Sequence, residues 1–294
     1  MTDTTYAILP DRAVVRAHGA DAYDLLQRLV TGNTDRVAAG EPVYALLLTP
    51  QGKFLFDFFM VADPEHADAI LLDCAAARAD ALRQRLTMYT LRADAAFEDV
   101  RKDYAVIAHW GPGARVLPDA LSFADPRSPL LGVRSLVPAD GVSAFTAQAA
   151  GAAGESDAYR AFTVALGVPD GAVDIRPDKD FPIESNLDLL HGIDFQKGCF
   201  VGQEVASRAH RKGKARKRLV VADIDGTPPE AASDVVMGSA KIGTIAGSTP
   251  SHALAMVFLD RVAKAGGVHA QAGGAQLTLR VPPYADFALE GASA

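Results

Sequence analysis

The spacing of apolar positions changes several times along the chain, and each change marks a different element. Ala13-Val-Val15 reads as a strand that His18-Gly19 closes. Asp21 can cap a helix whose apolar face is Leu25, Leu26, Leu29 and Val30, with Gly32-Asn33 ending it. Residues 43–48 and 53–62 read as two strands joined by the turn Thr49-Pro-Gln-Gly52, a hairpin. In the second strand Phe54, Phe56 and Phe58 share one face, while Leu55, Asp57 and Phe59 share the other. A lone carboxylate on that apolar face is costly, so Asp57 must be satisfied by a neighbouring donor, the favoured reading, or by a ligand.

Residues 69–73 form the next predicted strand and 75–88 a helix with Leu82, Leu86 and Tyr89 on its apolar side. A further strand over 104–110 stops at Gly111-Pro-Gly113, and the sequence of elements predicts an α+β unit. Cys74, at a strand–helix junction, reads as a small buried hydrophobe. Residues 111–141 read as a surface connection with a short strand near 131–137, its Arg127 and Arg134 expected in surface salt bridges. Asp157 can cap a helix through Leu166, stopped by Gly167 and Pro169. In residues 180–188, Glu184, Asn186 and Asp188 fall within five positions. That pattern suits either a helix N-terminus with an acidic first turn or a ligand-binding segment. Five short strands follow, over 219–224, 234–237, 241–246, 253–259 and 276–281, without a convincing helix, and predict a small barrel or sandwich.

Between these regions lies Lys197-Gly-Cys-Phe-Val-Gly-Gln-Glu204. It runs into Arg208, Arg211, Lys212, Lys214, Arg216, Lys217 and Arg218, seven cations in eleven residues. Gly198 and Gly202 leave Cys199 unshielded, and neighbouring cations would favour the thiolate. His191 and His210 flank the motif and can tune that thiolate or simply be solvated.

With 294 residues, the chain exceeds one ordinary core. The expected division is an α+β region over 1–215, itself of two subdomains with the second within about 53–135, and a barrel over 216–294. A hydrophobic share of 49% with 22% charge describes a globular protein. No basic-then-apolar leader opens the sequence, and no apolar stretch approaches bilayer-crossing length, so a cytoplasmic protein free of membrane is expected. Two cysteines without a Cys-x-x-Cys argue against a disulfide framework, and against a complete zinc or iron–sulfur site built from this chain alone; no metal site is expected. The net charge is −7, and outside the basic run 22 cations face 36 anions. One local anion site is expected rather than a broad nucleic-acid surface.

The motif from Lys197 to Glu204, followed by Arg208, resembles the signature of the YgfZ-type folate-binding proteins, relatives of the glycine-cleavage T-protein (aminomethyltransferase). Supporting matches are Leu25-Leu-Gln27 through Thr34-Asp35, Leu48 to Lys53, Asp125-Pro-Arg127 with Gly132 and Arg134, Phe181 to Asn186, and Gly243 to Ser248 with Ala253 to Ala255. The resemblance implies a multi-domain ring around a central channel, with a small C-terminal β-barrel and tetrahydrofolate as cofactor. It also implies a role in maintaining iron–sulfur enzymes, including those that modify tRNA. By position, Glu184 is similar to the residue T-proteins use to accept the donor pair of a pterin. Asn186, Gln203, Arg208 and Arg218 complete the expected folate-binding set, a cation suiting folate's anionic tail. T-proteins carry two adjacent acids where this chain reads Phe56-Asp57, which weakens the transferase reading. Cys199 belongs to the YgfZ pattern.

The favoured function is therefore a folate-dependent accessory protein for iron–sulfur cluster assembly or repair, with Cys199 as functional thiol and iron–sulfur client or assembly proteins as partners. Since such clusters use about four protein ligands, any cluster would have to be shared. The alternative is an aminomethyltransferase or other one-carbon transferase with Asp57 as key acid. A second alternative, a tRNA-binding module using residues 208–218, is opposed by the acidic remainder of the chain and the few aromatics in the run.

Overall fold

The computed structural model describes residues 3–117, 120–149, 151–211 and 215–289. In chain order the first elements are β1 (Thr5–Ile8), β2 (Arg12–His18), α1 (Ala22–Leu29), α2 (Thr34–Ala38), β3 (Val43–Leu48), β4 (Phe54–Ala62), β5 (Ala69–Ala75) and α3 (Ala79–Thr87). Then come β6 (Ala96–Asp99), β7 (Tyr104–Trp110), β8 (Leu121–Ala124), β9 (Val133–Pro138), α4 (Val142–Gln148), β10 (Ala152–Ala153) and α5 (Ser156–Ala165). After a long helix-free stretch follow α6 (Gln203–Arg211), β11 (Lys217–Asp225), β12 (Asp234–Met237), β13 (Ala240–Ser248), β14 (His252–Phe258), α7 (Leu259–Ala265), β15 (His269–Ala272) and β16 (Ala275–Arg280). The chain divides into two compact units. Unit 1 comprises Met1–Pro50, Leu55–Tyr159 and His191–Gln203; unit 2 comprises Gln51–Phe54, Arg160–Leu190 and Glu204–Ala294.

Unit 1 contains two five-stranded sheets, ordered β3-β4-β5-β2-β6 and β10-β1-β7-β9-β8. Strand alternation gives the first sheet two different faces. Val15, Phe56, Phe58, Met60, Ile70 and Leu72 pack with Leu25, Leu26 and Leu29 of α1 and Leu82 and Leu86 of α3. Each fully buried Phe or Leu side chain there contributes roughly 1.5–3 kcal/mol. The opposite face meets the second sheet, where the Phe59 ring lies 5.2 Å from Tyr44 and 6.4 Å from Phe123. Phe145 of α4 covers that second sheet from outside, against Ile107 and Val137.

Unit 2 ends in a closed barrel ordered β11-β14-β13-β12-β15-β16, its core including Val220, Ile242, Val257 and Leu277. The α+β class with a small barrel at the C-terminal end is what the sequence predicts. Several details differ from expectation. The barrel has a sixth strand, β15, and a helix, α7. The start of the basic run, where no helix is predicted, is a helix, α6. Residues 182–191 form successive turns in place of a helix, with Asn186 at φ +59° and His191 at φ +57°.

Candidate functional site

Cys199 lies in a non-helical loop of unit 1 that is sewn to the strand-like segment 30–32. The Thr31 hydroxyl donates to Gly192 O at 2.6 Å, and the Asp194 N–H donates to Thr31 O at 2.9 Å. Asp194 turns the chain by accepting from the N–H groups of Gln196 and Lys197 at 2.8 and 3.2 Å. Lys197 is buried, and its ammonium donates to Val30 O at 2.8 Å and Gly32 O at 2.6 Å. Burial pulls the Lys197 pKa down to about 8, against the opposing charges of Asp194 and Asp35. Phe200 is buried too, and Val201 packs on the unit-1 core. Between these anchors Gly198 and Cys199 are left exposed, and a side chain added at Gly198 would meet nothing within 4 Å. Gln203 opens α6, and its side-chain amide donates to Gly198 O at 3.4 Å. The motif's two ends are therefore held and its thiol is presented. Sequence reasoning did not identify Lys197 as the anchor; the only signal was its place at the head of the motif, next to an apolar run.

Asp57 occupies the face expected of it. The Tyr44 hydroxyl donates to its Oδ2 at 2.9 Å, inside the space between the two sheets. Burial first, and then the Asp57 charge, push the Tyr44 hydroxyl well above its usual pKa, so it remains a donor. Around this pair lies a buried ionic cluster. Asp73 accepts from Arg12 Nε at 2.7 Å and from Arg134 Nη1 at 2.8 Å. Asp125 accepts from Arg127 Nε at 3.0 Å and Nη2 at 2.7 Å. Burial alone would raise the Asp125 carboxyl, but the Arg127 and Arg134 charges outweigh it and hold the pKa below the usual range. The Arg134 and Arg127 guanidiniums also lie 4.2 and 4.9 Å from the centre of the Phe59 ring. The expectation of surface salt bridges for Arg127 and Arg134 is thus corrected: both are buried between the sheets, paired with carboxylates from β5 and from the turn before β9.

In unit 2 the turn segment around Glu184 is tied to the first barrel strand. Arg218 Nη1 donates to Ile183 O at 2.7 Å and to Asp188 Oδ1 at 2.8 Å, and Nη2 donates to Asp188 Oδ2 at 3.1 Å. Asn186 is fully buried, with its amide donating to Leu219 O at 2.8 Å and its Oδ1 left without a partner. Glu184 is only partly buried, and Lys217 Nζ stands 3.6 Å from its Oε2. The structure therefore brings Glu184, Asn186 and Arg218 together, with the latter two fixing the turn that presents the first.

The described cations of the basic run do not form one strip. Arg208 pairs with Glu204 at 2.6 Å along an exposed helix face, and Arg216 reaches Asp260 only at 3.9 Å. Lys217 and Arg218 are occupied as described, and Lys212 and Lys214 lie outside the described residues. Cys74 is buried, and burial pushes its thiol up to about 12. Among the described residues no group of three or more His, Cys, Asp or Glu side chains is placed to hold a metal ion. No described helix is long and apolar enough to cross a membrane.

Residues 13–135 match the GCVT N-terminal domain, and residues 216–287 match the CAF17 C-terminal β-barrel domain. The crystal structure of glycine cleavage system aminomethyltransferase T from Bartonella henselae has the same fold, with a TM-score of 0.75 over 97% of this chain and 87% of that one, at 14% identity. Fold and domain matches together define a class of architecture: a stretch similar to the GCVT N-terminal domain and, after it, one similar to the CAF17 C-terminal barrel. Within that class its curated relatives are more specific than the YgfZ-type resemblance. They are named iron–sulfur cluster assembly factor IBA57, mitochondrial, or homologues of it. The Mycosarcoma maydis protein is 34% identical over 78% of this chain and 60% of its own length. The Mus musculus protein is 32% identical over 75% and 66%, and the Homo sapiens protein 29% identical over 92% and 82%. The chain thus spans less than two thirds of the Mycosarcoma and mouse proteins. Their mitochondrial designation overturns the cytoplasmic location expected from the sequence.

Proposed function

We propose that this chain is a tetrahydrofolate-binding accessory protein for iron–sulfur cluster assembly or repair, supporting iron–sulfur enzymes that include tRNA-modifying ones. Cys199 is its functional thiol. The observation that carries the reading is the exposed sulfur on a loop whose flanks are anchored by Lys197 and Phe200. A cysteine kept only for packing would sit as Cys74 does. The relatives' printed role in cluster assembly supports the same reading. One thiol cannot complete a cluster site, so any cluster passing through this protein is cargo shared with a client or assembly partner.

The residues present in unit 2 fit a pterin. Glu184 is a partly exposed carboxylate, able to accept the adjacent amide N–H and amino donors of a reduced pterin in bidentate fashion. Asn186 and Arg218 contribute by positioning, since their donors are spent on Leu219 O, Ile183 O and Asp188. Gln203 steadies the loop at Gly198, and Arg208, exposed and paired one turn away with Glu204, is the cation that would exchange that partner for the folate tail. Asp57, already satisfied by Tyr44, acts as a structural carboxylate in this reading. The folate-binding function is assigned to residues 1–215 and a supporting role to the barrel of 216–294.

Calorimetry with tetrahydrofolate and complementation of cells lacking their own copy test the two halves separately. Glu184→Gln should weaken folate binding by about tenfold or more. Cys199→Ala should bind folate as the wild type does, yet fail to restore iron–sulfur enzyme activity. Full restoration by Cys199→Ala would remove the thiol function, and absence of binding to the wild type would remove the folate function.

A further inference from the structure

The barrel carries a second feature that neither the folate reading nor the thiol uses. Beside the turn between β12 and β13 is a cavity of about 570 Å³, lined by Gly238, Lys241, Arg261, Lys264, Gly266 and His269 among others. That volume lies within the range of small-molecule sites, roughly 300–1,000 Å³. No carboxylate lines it. In a protein of net charge −7, three cations and an imidazole around one apolar-floored cavity concentrate positive potential where counter-ions would gather.

The cations are held in different ways. Arg261 Nη1 donates to Lys241 O at 3.0 Å, and its guanidinium lies 4.1 Å from the centre of the Phe258 ring, so its orientation is set in advance. Lys241 pairs with Asp234 at 2.5 Å. Among the described residues neither Arg261 nor Lys264 has a carboxylate partner, so each brings an unneutralised charge to the cavity. The backbone keeps the space open. Gly238 takes the first central position of a two-residue turn at φ +60°, and Gly266 ends α7 at φ +72°. A side chain added at either would meet nothing within 4 Å, so the room beside them is unfilled.

We propose that this barrel cavity binds a small organic di- or triphosphate, with the fork of Arg261 and the ammonium groups of Lys241 and Lys264 on the phosphate oxygens and His269 as a further donor. A planar guanidinium fixed by stacking, beside the unpaired ammonium of Lys264 and the Asp234-paired ammonium of Lys241, suits tetrahedral, multiply charged groups better than a single carboxylate. The cavity's volume leaves space for the organic part. The site is independent of Cys199 and Glu184, so its failure would leave the proposed function intact.

The test uses the full chain and inorganic pyrophosphate as probe, by calorimetry at about physiological ionic strength, roughly 0.15 M. Wild type should bind pyrophosphate more tightly than inorganic phosphate. Lys264→Gln and Arg261→Gln should each weaken it by about tenfold. Lys264 is exposed and unpaired, so its variant should melt as the wild type does even if Arg261→Gln disturbs the barrel. Three results would overturn the proposal: no heat with pyrophosphate, an affinity unchanged in Lys264→Gln, or tighter binding of a hexaglutamate peptide, which would make the cavity a docking point for an acidic protein segment. Retained binding by Cys199→Ala and Glu184→Gln would confirm its independence.

Discussion

Cys199 stands in the open while Gly198 beside it adds no side chain, so a reagent or partner protein can reach the sulfur. Cys74 is enclosed on β5, where burial lifts its thiol to about 12 and withholds the thiolate at any physiological pH. Iodoacetamide should therefore add a single label to the folded chain, found by mass spectrometry on the peptide carrying Cys199, and a second only after denaturation. Labelling of Cys74 in the native protein would show that the two sulfurs are not differentiated. The residue types alone distinguished these cysteines: one between the nearby glycines Gly198 and Gly202, the other where an aliphatic strand meets a helix. Asp57 was legible in the same way, because strand alternation put a carboxylate on an apolar face. Its donor, Tyr44, was not legible, since the pairing joins neighbouring strands and depends on register. Arg127 and Arg134 were misread for a related reason. Two arginines in a Pro- and Gly-rich connection look like surface charge; Asp125 stands only two residues from Arg127, but the tertiary fold buries that pair and brings Asp73 to Arg134.

Elements with strong local patterning are where the sequence predicts them: the β3–β4 hairpin, β7, α1 and the barrel strands with branched aliphatics. Those missed have weak patterns. β15 reads His-Ala-Gln-Ala, without a β-branched or aromatic residue, and closes the barrel through backbone pairing with β16 and β12. α6 looks like a charge run, and its helical state is supported by the Glu204–Arg208 pair one turn apart. The loop carrying Cys199 has no regular structure, and depends on Lys197 instead. Lys197→Met would leave the carbonyls of Val30 and Gly32 without that donor, at a cost of about 1–3 kcal/mol. The pH dependence has a definite sign. A lysine lowered from 10.5 to about 8 sheds its proton in the folded state before the unfolded chain does. Between those values the unfolded state binds more protons, so this group favours folding increasingly as pH rises. Urea unfolding should show the stability gap between wild type and Lys197→Met widening from pH about 8 to about 10. A gap that stays flat or narrows would mean that the ammonium is not desolvated as described.

At the scale of the whole molecule, the order of individually weak motifs carried more information than any one of them, because a shared order constrains a fold where a tripeptide does not. Location was beyond the reach of composition, which describes how a chain folds and not where it is delivered. Charge is a whole-molecule property that composition does report, and it decides the case of tRNA. A chain of net charge −7 could still bind nucleic acid if its cations were free and aligned. Here four of the five described cations of the run stand beside separate carboxylates, Arg208 by Glu204, Lys217 by Glu184, Arg218 by Asp188 and Arg216 near Asp260, while Arg211 donates to Ser207 O. Neutralised cations release few counter-ions from a phosphate backbone, so both the affinity and its salt slope should be small. In filter binding at about 0.15 M salt, tRNA should bind no more tightly than the weak end of non-specific association, on the order of 10⁻⁴ M. Lowering the salt should improve it only slightly. A slope of log K against log salt of about −4 or steeper would mean that four or more phosphates are engaged, and that the run acts as a nucleic-acid surface after all.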